Sequence, residues 1–305
     1  MPDRRLVEEI AADLGASPGL VEKDWHVVRA IAVIAEVDRA GMRPAFSGGT
    51  SLSKGWELIK RFSEDVDFKV GEPAGLSASR ARRERTAYRQ RVLDGLTAAG
   101  FELAGKPDIG NESRFFSANL AYGAEFGAGR GLRPHIRVEM SFQAPALPPV
   151  ARPIRSLIAL ARREPPEVAA FPCVDPVETA ADKLSALAWR VLARDRGSRK
   201  DDPAVIRHLH DLAALERSAA TAPQFAKLVR AAAAADAGRG GGAASGDAAA
   251  MFATMLQRLA TDPLWAKEYE DFVRAVSFAG PGEVIHFTDA LAACTRLVAA
   301  VQDGT

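Results

Sequence analysis

Apolar positions recur at helical spacing over residues 3–13 and 17–40, and Ser17-Pro18 opens the second stretch as an N-cap followed by proline at the first helical position. A short strand, Ala45-Phe46-Ser47, runs into Gly48-Gly49. Leu52, Trp56 and Ile59 then fall at helical spacing and predict a helix over 50–60. Strict alternation over 65–70 (DVDFKV) predicts a strand. A long arginine-rich helix is expected over 78–98, followed by strands near 101–104, 114–122, 135–142 and 152–158. The pattern changes after about residue 172. From there it predicts helices over 176–194, 203–217, 222–235, 249–260, 263–277 and 287–302. Residues 236–248 (DAGRGGGAASGDA) are low in complexity and are expected to form a linker or loop. These elements predict an α+β domain over 1–172 and a helical domain over 173–305.

Composition narrows the class without identifying a chemistry. The 305 residues are 48% apolar and 26% charged, as in an ordinary globular protein. The 40 basic and 39 acidic residues nearly cancel, so a nucleic acid would have to be met by a local patch. The charged N-terminus lacks the apolar core of a signal peptide, and no stretch approaches the ~20 apolar residues that span a bilayer. Cys173 and Cys294 are far apart, and the five histidines form no zinc motif. A reducing cytoplasm and no membrane association are therefore expected.

Asp65 and Asp67 carry the first candidate chemistry. Two residues apart on a strand, they point to the same face, while Val66 and Phe68 point into a core. Two carboxylates this close repel unless a cation lies between them, and magnesium prefers such hard oxygens together with substrate phosphates. Manganese is the alternative cation. In the 135–142 strand, Arg137, Glu139 and Ser141 share one face. If that strand lies beside 65–70, Glu139 becomes a third metal ligand, and it is placed to act as a base on an attacking hydroxyl.

The glycine loop supplies the second candidate. Ser47-Gly48-Gly49-Thr50-Ser51 lies between a strand and a helix, where backbone amides approach a phosphate closely. Thr50, Ser51 and Ser53 add hydroxyls, and Lys54 adds a charge one turn in. The P-loop spacing is absent.

The two segments F-S-G-G-T-S-L-S-K (46–54) and R-F-S-E-D-V-D-F (61–68) together resemble the AbiEii/AbiGii nucleotidyltransferase toxins of the DNA polymerase β-like superfamily. V-E-T-A-A-D-K-L-S-A-L (177–187) and R-H-L-H-D-L (207–212) are similar to the family's two later motifs and occur in the family's order. The resemblance implies a mixed sheet with flanking helices. It implies that Gly48, Gly49, Thr50 and Ser51 hold an NTP triphosphate, that Asp65 and Asp67 hold the metal, and that Lys183 and Asp211 complete the nucleotide site. It also implies transfer of a nucleotide to RNA, in particular the tRNA acceptor end, and a cognate antitoxin protein. The loop departs from the wider superfamily, whose usual pattern is Gly-Ser with a shorter gap to the aspartates.

Taken without the resemblance, Lys183 borders an apolar helix face and its stem can simply snorkel, while Asp211 follows Arg207 by four residues as a surface pair would. Arg80, Arg82, Arg83, Arg85, Arg89 and Arg91 crowd one helix, and Arg190, Arg194, Arg196, Arg199 and Lys200 form a second cluster. Such clusters suit an RNA backbone. Trp265, Tyr269 and Phe272 read as core, not as a base-stacking platform. The expected function is magnesium-dependent nucleotide transfer from an NTP to RNA with release of pyrophosphate. The alternatives are transfer to a protein or small molecule, or a non-catalytic nucleotide-binding module.

Overall fold

The computed structural model describes residues 1–127, 132–199, 201–238, 248–280 and 282–303. Most of the expected linker, residues 239–247, lies outside the described residues. The chain divides into two compact units, Met1–Val174 and Asp175–Thr305.

The first unit opens with helices α1 (Arg4–Leu14) and α2 (Pro18–Glu36). Strand β1 (Arg43–Ser47) leads directly into the short helix α3 (Gly48–Lys54), and β2 (Asp65–Gly71) precedes the long helix α4 (Ala78–Ala98). Then come β3 (Glu102–Leu103), β4 (Asp108–Gly110), β5 (Phe115–Ala121), β6 (Ile136–Ser141), β7 (Val150–Ile154), helix α5 (Leu157–Ala161) and β8 (Val168–Cys173). All eight strands join one mixed sheet in the order β3-β5-β6-β2-β1-β8-β7, with β4 paired to β5. The α+β architecture expected from the sequence, a mixed sheet with flanking helices, is what the first unit adopts.

Alternation decides which face of the sheet is the core. Val66, Phe68 and Val70 of β2 and Ile136, Val138 and Met140 of β6 are buried against Val27, Ile31 and Ile34 of α2 and Tyr88, Val92 and Leu96 of α4. The opposite face of these two strands carries Asp65, Asp67, Lys69, Arg137, Glu139 and Ser141, all partly exposed. A one-residue slip would exchange the two faces, so the apolar set fixes the register of the polar one.

Three expectations are corrected here. The helix expected over 50–60 ends at Lys54. Gly55 follows with Cys173 Sγ only 2.9 Å from where its Cβ would stand, and Glu57 takes a left-handed backbone (φ 55°) that turns the chain away. The strand expected over 152–158 stops at Ile154 because Ser156 caps a new helix, its Oγ accepting from Ala159 N at 3.0 Å. The strand Val168–Cys173, which the sequence pattern does not predict, pairs in parallel with β1 and antiparallel with β7.

The second unit is helical: α6 (Pro176–Ala193), α7 (Arg207–Ala220), α8 (Phe225–Gly238), α9 (Ala248–Thr261), α10 (Leu264–Val276) and α11 (Phe287–Asp303). Asp175 caps α6 by accepting from Val177 N at 2.8 Å, and Pro176 occupies its first turn. Asp202-Pro203 starts a single 3-10 turn before α7. Trp265 and Tyr269 are buried, the Tyr269 hydroxyl donating to Ile285 O at 3.1 Å, as expected of core residues.

The core of the first unit contains an acid-sensitive group. His26 is buried on α2 against Trp25, Phe101 and Tyr122. Burial, with Arg29 adding repulsion, lowers its pKa to about 4. Below pH ~6.5 the unfolded chain takes up a proton that the folded chain refuses, so stability falls by about 1.4 kcal/mol per pH unit down to the folded value. We expect His26→Leu to remove about 2 kcal/mol of the stability difference between pH 7 and pH 5, measured by urea denaturation of both proteins at each pH. An identical pH dependence in the variant would exclude His26 as the source.

Candidate active site

The site is built where β1 ends. β1 and β2 are antiparallel with Ser47 opposite Asp67, so the glycine turn that follows Ser47 lies on the Asp67 side chain. Gly48 has φ 74°, and a Cβ placed there would stand 2.1 Å from Asp67 Oδ2. Only glycine fits on both counts. A Cβ at Gly49 would meet the Arg61 guanidinium at 2.7 Å and Ser63 Oγ at 2.9 Å. The loop backbone is therefore pressed between one carboxylate and one arginine. We expect Gly48→Ala to abolish activity and to cost about 1–3 kcal/mol through backbone strain alone, with carboxylate displacement added. Thermal unfolding together with a transfer assay checks this, and full activity in the Gly48→Ala variant would refute the close approach.

β2 and β6 are parallel neighbours, pairing Asp65 with Arg137 and Asp67 with Glu139. Ser117 of β5 stands opposite Glu139, which completes a row of Ser47, Asp67, Glu139 and Ser117 across four strands. The register thus places Glu139 beside Asp67, but its carboxylate is held by Arg137 Nη2 at 2.6 Å. Asp65 Oδ1 accepts from Arg133 Nη1 at 2.7 Å. Among the described residues, no three His, Cys, Asp or Glu side chains form a group able to hold a metal ion. The register sets the three carboxylates on one face, with Asp65 paired to Arg133 and Glu139 to Arg137. Asp65 and Asp67 share one face of β2. That donor set fits magnesium or manganese, which bind through one or two carboxylates and take further oxygens from substrate phosphates.

Several expected phosphate ligands have other tasks. The Thr50 hydroxyl donates to the Asp65 carbonyl, tying α3 to β2, and Thr50 and Ser51 are buried. Ser53 Oγ donates to Thr50 O at 3.2 Å. Lys54 is ion-paired with Asp24 of α2 in the interior, so its charge braces the loop helix from behind. That pairing corrects the expectation that Lys54 faces a triphosphate. Burial raises the Asp24 pKa while Lys54 opposes the rise, and Asp24 Oδ2 also accepts from Leu157 N at 2.7 Å.

In the helical unit, Lys183 Nζ of α6 and Asp211 Oδ2 of α7 form an ion pair at 2.7 Å with both side chains buried. His210 Nδ1 lies 3.4 Å from Asp211 Oδ1. His208, one turn before Asp211, is buried, and its pKa is held well below the usual value by burial and by the nearby Lys183 charge. The two motif residues are thus brought together within their own unit.

The arginine-rich helix α4 does not present one continuous cationic face. Arg85 is buried against Glu72 at 2.7 Å, and Arg89 is buried with Nη1 donating to Ser113 O at 3.1 Å. This corrects the expectation that Arg85 and Arg89 contact RNA. Arg80, Arg82 and Arg83 are exposed. In the second cluster, Arg194 and Arg196 are committed to Asp201, Asp262 and Glu268 and lie over the Trp265 ring. Lys200 lies outside the described residues.

Sequence reasoning missed the support of the site. Glu22, Lys23 and Asp24 are three successive buried charges on α2. Glu22 accepts from the backbone amides of Glu125 and Phe126, Lys23 reaches Glu64, and Asp24 reaches Lys54. A run of three charges amid Val21, Val27, Val28 and Ile31 was the available signal. Charged residues are almost never fully buried unless paired.

On one mixed sheet, a strand, a glycine turn and a helix lie beside a strand with two same-face carboxylates, an arrangement suited to phosphate and divalent-cation chemistry. The family model described as "Nucleotidyl transferase AbiEii toxin, Type IV TA system" matches residues 37–293. The chain belongs to that family and is a nucleotidyltransferase toxin of a type IV toxin–antitoxin system. The family implies an NTP substrate and an antitoxin partner. Among solved structures, the fold is similar to MenT4, the nucleotidyltransferase toxin Rv2826c from Mycobacterium tuberculosis H37Rv. The two are 18% identical, the match covers 99% of this chain and 90% of that one, and the TM-score is 0.63. At that identity the likeness is one of fold. No curated protein matches the sequence. No helix among the described residues is long and apolar enough to cross a membrane.

Proposed function

We propose that the protein transfers a nucleotide from an NTP to RNA, at the acceptor end of tRNA, and releases pyrophosphate, with magnesium or manganese held by Asp65 and Asp67. The observation that carries this reading is the register that sets the glycine turn against Asp67 and leaves Asp65 on the same strand face. When bound, the divalent cation neutralises charge on the phosphate oxygens during transfer. The Gly48-Gly49 backbone is proposed to approach the phosphates, and a side chain at either position would press on Asp67 or on Arg61 and Ser63. The acceptor hydroxyl attacks the α-phosphate and pyrophosphate leaves. Glu139, beside Asp67 in the row of four strands and ion-paired with Arg137, is the carboxylate proposed to take the hydroxyl proton. The resemblance of their two segments to the family's later motifs supports a role for Lys183 and Asp211 in nucleotide handling. Exposed Arg80, Arg82 and Arg83 supply positive charge for an RNA backbone.

Incubation with each labelled NTP, a divalent cation and total tRNA tests the proposal. Label that disappears on RNase digestion supports it. Label that resists RNase and is lost to protease replaces RNA with a protein acceptor, and absence of cation-dependent NTP binding by calorimetry leaves a non-catalytic module.

A further inference from the structure

Arg133 stands outside every motif read from the sequence, yet the structure fixes it at several points. Its guanidinium donates to Asp65 Oδ1 at 2.7 Å, and its Nε lies 3.5 Å from Glu64 Oε1. Both backbone polar groups are also pinned. Arg133 N donates to Glu64 Oε2 at 3.1 Å, and Arg133 O accepts from Lys23 Nζ at 2.7 Å. Lys23 itself pairs with Glu64 and is wholly buried. A buried ammonium costs several kcal/mol unless it is paired and hydrogen-bonded, and an apolar side chain would serve the core better. Here the buried pair directs its bonds at the backbone of one arginine, so what it secures is the position of that arginine. The side chain beyond this anchor is 35% exposed and ends on a carboxylate of the candidate metal site.

We propose that Arg133 guards Asp65 before substrate binds and becomes a ligand of an NTP phosphate afterwards. The inference rests on the metal–NTP reading above. Without a cation, the guanidinium satisfies the Asp65 carboxylate. A divalent cation held by Asp65 would compete with the guanidinium for that carboxylate, so occupation of the site would release the arginine. The guanidinium then exchanges the carboxylate for a phosphate, whose oxygens match its planar fork equally well. Lys23 and Glu64 hold the backbone, so only the side chain swings. Arg133 touches substrate in this scheme, and Lys23 and Glu64 are positioning residues.

Mn2+ binding to the full chain, measured by electron paramagnetic resonance without nucleotide, separates this role from a structural one. Arg133→Gln is expected to bind Mn2+ about tenfold more tightly, since one competing charge at a partly exposed carboxylate is removed. The same variant is expected to show an NTP KM raised about tenfold or more, because a charge-assisted phosphate contact is lost. Arg133→Lys is expected to restore the weak Mn2+ binding but only part of the KM, since it keeps the charge and lacks the fork. Equal Mn2+ affinity in wild type and Arg133→Gln overturns the guarding role, and an unchanged KM overturns the phosphate contact. Absence of Mn2+ binding by both proteins, with or without NTP, overturns the metal reading itself and the inference with it.

Discussion

Asp67→Ala is expected to abolish nucleotide transfer while leaving the fold intact. The physical grounds are the position of this side chain and what surrounds it. Asp67 lies against the glycine turn, beside Glu139, and on the same face as Asp65. Its loss removes one of the two aspartates proposed to hold the cation. Outer-shell partners of a metal are typically worth about 10–100-fold in activity or affinity, so loss of a direct ligand is expected to exceed a hundredfold. The fold should tolerate the change, because Val66, Phe68 and Val70 on the other face supply the burial. Asp65→Ala is expected to lose activity comparably, and in addition to release Arg133. Transfer of labelled nucleotide, alongside circular dichroism of each variant, checks both points. Undiminished transfer by either variant would remove the carboxylate mechanism.

The second large effect concerns the helical unit. Lys183 and Asp211 are an ion pair with almost no exposure. Removing one member of a buried ion pair typically costs about 3–5 kcal/mol. Asp211→Leu and Lys183→Met should therefore each lower stability by that order. The double variant, with an apolar pair of similar volume, should recover most of it. If the pair also handles nucleotide, the double variant will be stable and inactive. Urea denaturation of the wild type and the three variants, each paired with a transfer assay, separates the two roles. A double variant that regains both stability and activity would make the pair purely structural.

The sequence alone made much of this site legible. The alternation of DVDFKV put Asp65 and Asp67 on one face, because strand side chains alternate whatever the partner strand. The glycine turn between β1 and α3 was readable for a similar reason, since a strand followed by Gly-Gly and a helical pattern is a local signal. The bounds of α4 were local too. The 168–173 strand was not legible. Its sequence, VAAFPC, contains a proline and alternates poorly, and it becomes a strand only by pairing with β1 and β7.

Partner choice for the charged side chains was likewise beyond the sequence. Lys54 looked like a phosphate ligand because it follows the loop by one turn. Its actual partner is Asp24, far upstream on another helix. The strand register brings Glu139 beside Asp67, and its ion-pair partner, Arg137, lies on its own strand. Arg85 and Arg89 looked like surface charge, but the turn of α4 directs them inward to Glu72 and Ser113. Periodicity is set by each residue's immediate neighbours, so the chain by itself determined the same-face aspartates and the glycine turn. Which carboxylate meets which cation depends on elements that only the tertiary fold brings within hydrogen-bond distance, as with Lys23, Glu64 and Arg133.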